Sequence, residues 1–68
     1  ARLFIEGVER ISQKVIEEAG ESALAGVKGD KDQLVLELAD LIYHSLVLLS
    51  ASDGVPEDVW QVLRQRRK

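Results

Sequence analysis

The sequence predicts an all-α chain, and three observations carry that expectation. Only three of its 68 residues are aromatic, Phe4, Tyr43 and Trp60. A core must therefore come from Leu, Val, Ile and Ala, which favours packed helices over a sheet. Apolar residues recur at spacings of three and four, the mark of a helix with one buried face. Residues suited to helix ends punctuate the chain at Gly29, Asp30 and Pro56.

The first helix is expected over about residues 2–27. Phe4, Val8, Ile11 and Val15 form its apolar stripe, while Gly7 and Gly20 weaken it by about 1 kcal/mol each relative to Ala unless they serve close packing. Gly26 and Gly29 bracket its stop, with Lys28 in the last turn. Asp30 is suited to cap a second helix running to residue 50 or 51, with Gln33 placed three residues on as in a capping box. Twelve of the sixteen residues from 34 to 49 are hydrophobic. Apolar residues nearly all round a helix require burial on more than one side, which a single short neighbour does not provide. A homodimer is the expected remedy. Ser52, Asp53 and Gly54 form a turn, Pro56 opens a third helix, and Glu57 and Asp58 oppose the positive end of its dipole. Val59, Trp60, Val62 and Leu63 are its short apolar stripe. The predicted architecture is an antiparallel helical hairpin plus a short third helix, one domain over residues 1–68, assembling into a helical bundle as a homodimer.

Composition narrows the function. The absence of cysteine excludes a disulfide scaffold, a thiolate zinc site and a cysteine nucleophile. The net charge of −3 hides a split, because Arg64, Arg66, Arg67 and Lys68 are four of the nine basic residues. An acidic body argues against binding a nucleic-acid backbone, and the basic end suits the C-terminal helix dipole. The apolar run at 34–49 carries Glu37, Asp40 and His44 and is shorter than the about 20 residues of a membrane span, so a buried helix and no membrane partner are expected. The chain starts at Ala1 without methionine, which suggests that a preceding piece has been removed.

The acids carry most of the chemical information. Glu18 and Glu21 share a face of the first helix, as do Glu37 and Asp40 on the second. Folding the helices back about Gly29 pairs residues whose numbers sum to about 58, placing Glu18 level with Asp40, Glu21 with Glu37 and Lys14 with His44. Four carboxylates in one partly buried layer repel one another and lose hydration unless a cation or shared protons compensate. Oxygen donors select a hard ion, Mg²⁺ first and Mn²⁺ second, and magnesium held by carboxylates commonly serves a phosphate-bearing substrate. Glu17, Glu18 and Glu21 alone read first as a solvated face. Glu37 and Asp40 have mostly apolar neighbours, where an acid rarely stands without a partner. His44 reads as a hydrogen-bonded core residue before a catalytic base, and Lys14 as a phosphate contact or an ion-pair partner for the acids.

The words Lys14-Val15-Ile16-Glu17-Glu18-Ala19-Gly20-Glu21 and Glu37-Leu38-Ala39-Asp40-Leu41-Ile42-Tyr43-His44 resemble the phosphoribosyl-ATP pyrophosphohydrolases of histidine biosynthesis. That family belongs to the all-α nucleoside-triphosphate pyrophosphohydrolases, related to MazG-like and dimeric dUTPase-like enzymes. Their Glu-Glu-x-x-Glu, then Glu-x-x-Asp, pattern is met by Glu17, Glu18, Glu21, Glu37 and Asp40. Gly29-Asp30-Lys31 and Pro56-Glu57-Asp58-Val59 extend the resemblance along essentially the whole chain. It implies hydrolysis of the α–β phosphoanhydride of phosphoribosyl-ATP, with Mg²⁺, a cytoplasmic homodimer, and occurrence of the domain fused to a phosphoribosyl-AMP cyclohydrolase. Glu18, Glu21, Glu37 and Asp40 would be metal ligands, and Glu17 an outer group or an aid to the water. Lys14, with Arg10 and His44, would contact substrate phosphates. Family members usually carry a further helix ahead of Ala1, so the chain is expected to lack that element. The alternatives are a house-cleaning hydrolase of canonical or damaged nucleotides and a non-catalytic helical dimerisation module.

Overall fold

A computed structural model of the chain describes residues 2–67, with side chains described for residues 7–67. The elements are α1 (Arg2–Lys28), α2 (Lys31–Ala51) and α3 (Pro56–Arg66), with no strand among the described residues. Each boundary falls within a residue of its expected place, because the signals that set it are local. Gly29 takes a positive φ of 73°, which lets its N–H reach the Gly26 carbonyl at 3.1 Å and the Asp30 N–H reach Ala25 at 3.1 Å. That pair of bonds closes α1 with a left-handed glycine. Asp30 then opens α2, its Oδ1 accepting from the Gln33 N–H at 3.1 Å. Only this half of the expected capping box forms, because the Gln33 side chain turns forward to Glu37 instead.

The turn after α2 differs from the simplest expectation. Ser52, Asp53 and Gly54 do form it, but the left-handed residue is Asp53, at φ 65°, rather than the glycine. Asp53 donates its N–H to Ser50 and Gly54 to Leu49, at 3.0 and 2.9 Å. The glycine is used for space: a Cβ at Gly54 would come within 2.3 Å of Leu49 Cδ1 and 3.0 Å of Leu49 Cγ. Asp53→Gly should therefore raise stability by about 0.5 kcal/mol, relief of the left-handed strain outweighing the added freedom of the unfolded chain. The expected readout is a thermal midpoint higher by about 2–4 °C for a domain of this size. Beyond the turn, Pro56 occupies the first position of α3, and Asp58 accepts the Val55 N–H at 3.0 Å.

The α1–α2 hairpin provides the packing, and α3 adds little to it. The inward stripe of α1 is Val8, Ile11, Val15, Glu18, Ser22 and Ala25; that of α2 is Leu34, Glu37, Leu41, His44 and Leu48. Phe4, expected at the head of the α1 stripe, lies outside the described side chains. Gly7 and Gly20 serve no close packing among the described residues, none of which lies within 4 Å of a Cβ placed on either.

The molecule measures 41 × 34 × 13 Å, and the thinnest dimension is that of a single layer of helices. Its radius of gyration is 14.0 Å, against about 11 Å for a compact domain of this length. It exposes 5642 Å², whereas a compact monomer of 7.6 kDa exposes about 4,300 Å². Among the described residues only Glu18, Ser22 and Ala25 are buried. The burial expected for the apolar run at 34–49 is thus not achieved within the chain: no residue of α2 is buried. Leu36, Ile42 and Tyr43 stand 61, 58 and 64% exposed, because α1 covers only one side of the helix. By length and composition alone α2 would also pass for a membrane span, with a mean hydropathy of 1.7 over its most apolar stretch.

Candidate active site

At 100° per residue, the two flanks of α2 have different chemistry. Leu38, Leu49, Ile42, Val35 and Leu46 follow one flank, whereas Gln33 and Asp40 lie on the other beside Val47 and Leu36, with Glu37 at the edge of the seam. On α1, Lys14, Glu17, Glu21 and Lys28 likewise share one flank. The hairpin turns these two polar flanks to the same side. Glu21, Leu24, Ala25 and Lys28 from α1, with Asp30, Gln33 and Glu37, line an open cleft of about 440 Å³. Toward the start of α1, Arg10, Gln13, Lys14 and Glu17 line a second depression of about 390 Å³. A groove bordered by Glu17, Gly20, Glu21 and Leu24 shares residues with both.

The expected register holds where the backbone decides it and fails where side-chain direction decides it. Glu21 and Glu37, whose numbers sum to 58, share the cleft. Glu18 does not turn to Asp40. Its Oε1 lies 2.7 Å from Nδ1 of His44, one turn farther from the hairpin loop, and the same nitrogen lies 3.1 Å from the Asp40 main-chain carbonyl. Helical Cβ atoms tilt toward the N-terminus of their own helix. In an antiparallel pair, α1 side chains therefore lean away from the loop and α2 side chains lean toward it. Glu18 moves up to meet His44 moving down. Lys14, expected level with His44, stands on the outer flank instead and forms no ion pair with Glu17, Glu18 or Glu21.

The same tilt aims other acids back along their own helices. Gln13 donates to Glu17 at 3.3 Å, and Gln33 donates to Glu37 at 2.7 Å. These two glutamines, and Lys28 in the cleft, are site residues that sequence reasoning passed over. The signal was present in each Gln-x-x-x-acid spacing, which places an amide one turn before a carboxylate. Ser22 was missed as well. Continuing the α1 stripe past Val15 by three, four and three reaches Glu18, Ser22 and Ala25, so the stripe itself pointed to polar groups in the seam. The buried Ser22 Oγ has no hydrogen-bond partner.

Among the described residues, no three of the acids and His44 are grouped so that they could hold one ion. The α1 and α2 carboxylates lean in opposite directions along the hairpin, which keeps Glu18, Glu21, Glu37 and Asp40 from converging. Glu21 and Glu37 nevertheless come from facing helices to line one cleft. One or two carboxylates, with water and substrate phosphate completing the shell, is the donor set that Mg²⁺ accepts. The cleft fits the ion at that level.

Fold and site together define an all-α protein whose polar chemistry is concentrated on one side of a helical hairpin. The chain belongs to the phosphoribosyl-ATP pyrophosphohydrolase family, whose model matches residues 1–67. It is 47% identical over 66 residues to the Phosphoribosyl-ATP pyrophosphatase of Geobacter sulfurreducens, covering 97% of this chain and 61% of that protein. It is 53% identical over 68 residues to the Histidine biosynthesis bifunctional protein HisIE of Vibrio vulnificus, covering 100% of this chain and 32% of that protein. A Phosphoribosyl-ATP pyrophosphatase of Azospirillum brasilense is 46% identical over 66 residues, covering 97% of this chain and 60% of that protein. The chain thus spans about three fifths of the single-function relatives and about one third of the bifunctional one.

Proposed function

We propose that the chain is the catalytic part of an enzyme that hydrolyses phosphoribosyl-ATP to phosphoribosyl-AMP and pyrophosphate, the second step of histidine biosynthesis. The observation that carries this reading is that Glu21 and Glu37, from two helices, line one open cleft. Membership of the family supports the substrate. Water adds at the α-phosphorus, the bond from that phosphorus to the bridging oxygen breaks, pyrophosphate leaves with that oxygen, and the water's proton passes to solvent. Glu21 and Glu37 would hold Mg²⁺, or Mn²⁺ in its place, with Glu18 and Asp40 as the further carboxylates of the layer. The ion would supply charge neutralisation of the phosphate oxygens and lower the pKa of a bound water. The chain's own groups would do the rest: Arg10 and Lys14, which line the neighbouring depression with Glu17, would meet phosphate oxygens. Gln33 orients the Glu37 carboxylate.

The enzyme is proposed to act as a cytoplasmic homodimer. The surface excess supports the dimer: roughly 1,300 Å² per chain beyond a compact monomer exceeds the about 800 Å² per partner of a standard interface. A second copy seated on the apolar flank of α2 would cover it and leave the acid-bearing side open. Fusion or association with a cyclohydrolase is proposed from the bifunctional relative.

A substrate panel tests the function. The full-length protein, incubated with Mg²⁺ and phosphoribosyl-ATP, dUTP or dCTP, is expected to release pyrophosphate from the first by a margin of at least about a hundredfold in kcat/KM. Preference for dUTP or dCTP would place the enzyme with the house-cleaning hydrolases. No release from any of the three, with the dimer intact, would leave a dimerisation module.

A further inference from the structure

We propose that His44 is a positioning residue for Glu18, donating its Nδ1–H to that carboxylate, and is not a phosphate contact. The inference rests on the proposed role of Glu18 in the acidic layer. The two groups that Nδ1 approaches are Glu18 Oε1 at 2.7 Å and the Asp40 carbonyl at 3.1 Å. A main-chain carbonyl can only accept, so the hydrogen belongs on Nδ1, from which it also reaches Glu18 Oε1. The side chains of His44 and Glu18 are 25 and 9% exposed. A carboxylate so far withdrawn from water needs a donor in the seam, and among the described residues His44 is the side chain that bonds it. The carbonyl of Asp40, one turn before His44 on the same helix, holds the imidazole from behind. Helix α2 thereby fixes the ring, and the ring fixes an α1 carboxylate with one oxygen engaged. This is the arrangement by which a supporting group holds a working acid in one orientation, and removal of such groups commonly costs about 10- to 100-fold.

The experiment compares His44→Asn, His44→Gln and His44→Leu in the full-length protein. An asparagine amide nitrogen occupies nearly the place of Nδ1, whereas a glutamine amide reaches one bond farther. His44→Asn is expected to keep kcat within about threefold of wild type, and His44→Gln and His44→Leu to lose about 10- to 100-fold in kcat with KM for phosphoribosyl-ATP little changed. A phosphate contact would instead raise KM in all three variants. A purely structural role would lower the thermal midpoint and kcat together across the series. Imidazole ¹⁵N NMR of the wild-type protein, without metal or substrate, is expected to show hydrogen on Nδ1, with the signal moving on Glu18→Gln. A hydrogen on Nε2 alone, or equal losses for Asn and Leu, overturns the positioning role. Absence of turnover by the wild type overturns the substrate assignment, while the NMR result decides the positioning contact without reference to turnover.

Discussion

Glu37→Gln is expected to reduce kcat/KM for phosphoribosyl-ATP by about 10²- to 10³-fold, the scale on which one preorganised charge contributes to a transition state. The substitution is nearly isosteric. Its amide oxygen still accepts from Gln33 Nε2, which bonds the carboxylate at 2.7 Å, so the local helix has no reason to change. What disappears is one of the two negative charges that α1 and α2 direct into the cleft. The same variant separates a metal site from a merely acidic surface. An ion that binds the folded chain stabilises it by about 2.7 kcal/mol at a hundred times its dissociation constant. Millimolar Mg²⁺ or Mn²⁺ should therefore raise the thermal midpoint of the wild type and leave that of Glu37→Gln unmoved. A wild-type midpoint indifferent to Mg²⁺ would count against the metal, and equal responses in both proteins would count against Glu37 as its ligand.

Ile42→Asp is expected to break the proposed dimer. Ile42 is 58% exposed in the single chain, in the middle of the flank formed by Val35, Leu38, Leu46 and Leu49. A charge there is harmless to an isolated hairpin, whose seam runs through Leu41 and His44. In an isologous interface the same substitution is present twice. At about 2 kcal/mol per copy for a central apolar anchor, the loss is about 4 kcal/mol, or nearly a thousandfold in dissociation constant. Sedimentation should show the wild type at twice the chain mass and Ile42→Asp at the chain mass. A wild type that sediments as a stable monomer would remove the explanation for the exposed face of α2.

The legible part of this protein was its helices. Asp30 caps α2, Pro56 opens α3 and Asp58 accepts the Val55 N–H within the same turn, so the boundaries of α2 and α3 could be found without knowing any distant contact. The stripe from Val8 through Val15 announced the face by which α1 packs, and its continuation through Glu18 and Ser22 was available by the same count. The left-handed residue in the second turn was not legible. Asp53 and Gly54 are both suited to that conformation, and the choice followed from Leu49 filling the space beside Gly54.

By itself the sequence determined an all-α hairpin with a third helix and a second helix too apolar for one neighbour. All of these follow from spacing along a helix and from residues that act within a turn or two. Only the tertiary structure decided which acid meets which partner. Level positions on two antiparallel helices do not place side-chain tips together, because each helix tilts its Cβ atoms toward its own N-terminus. Glu18 consequently finds His44, Glu37 is held by Gln33, and Glu21 is left facing the cleft with Glu37.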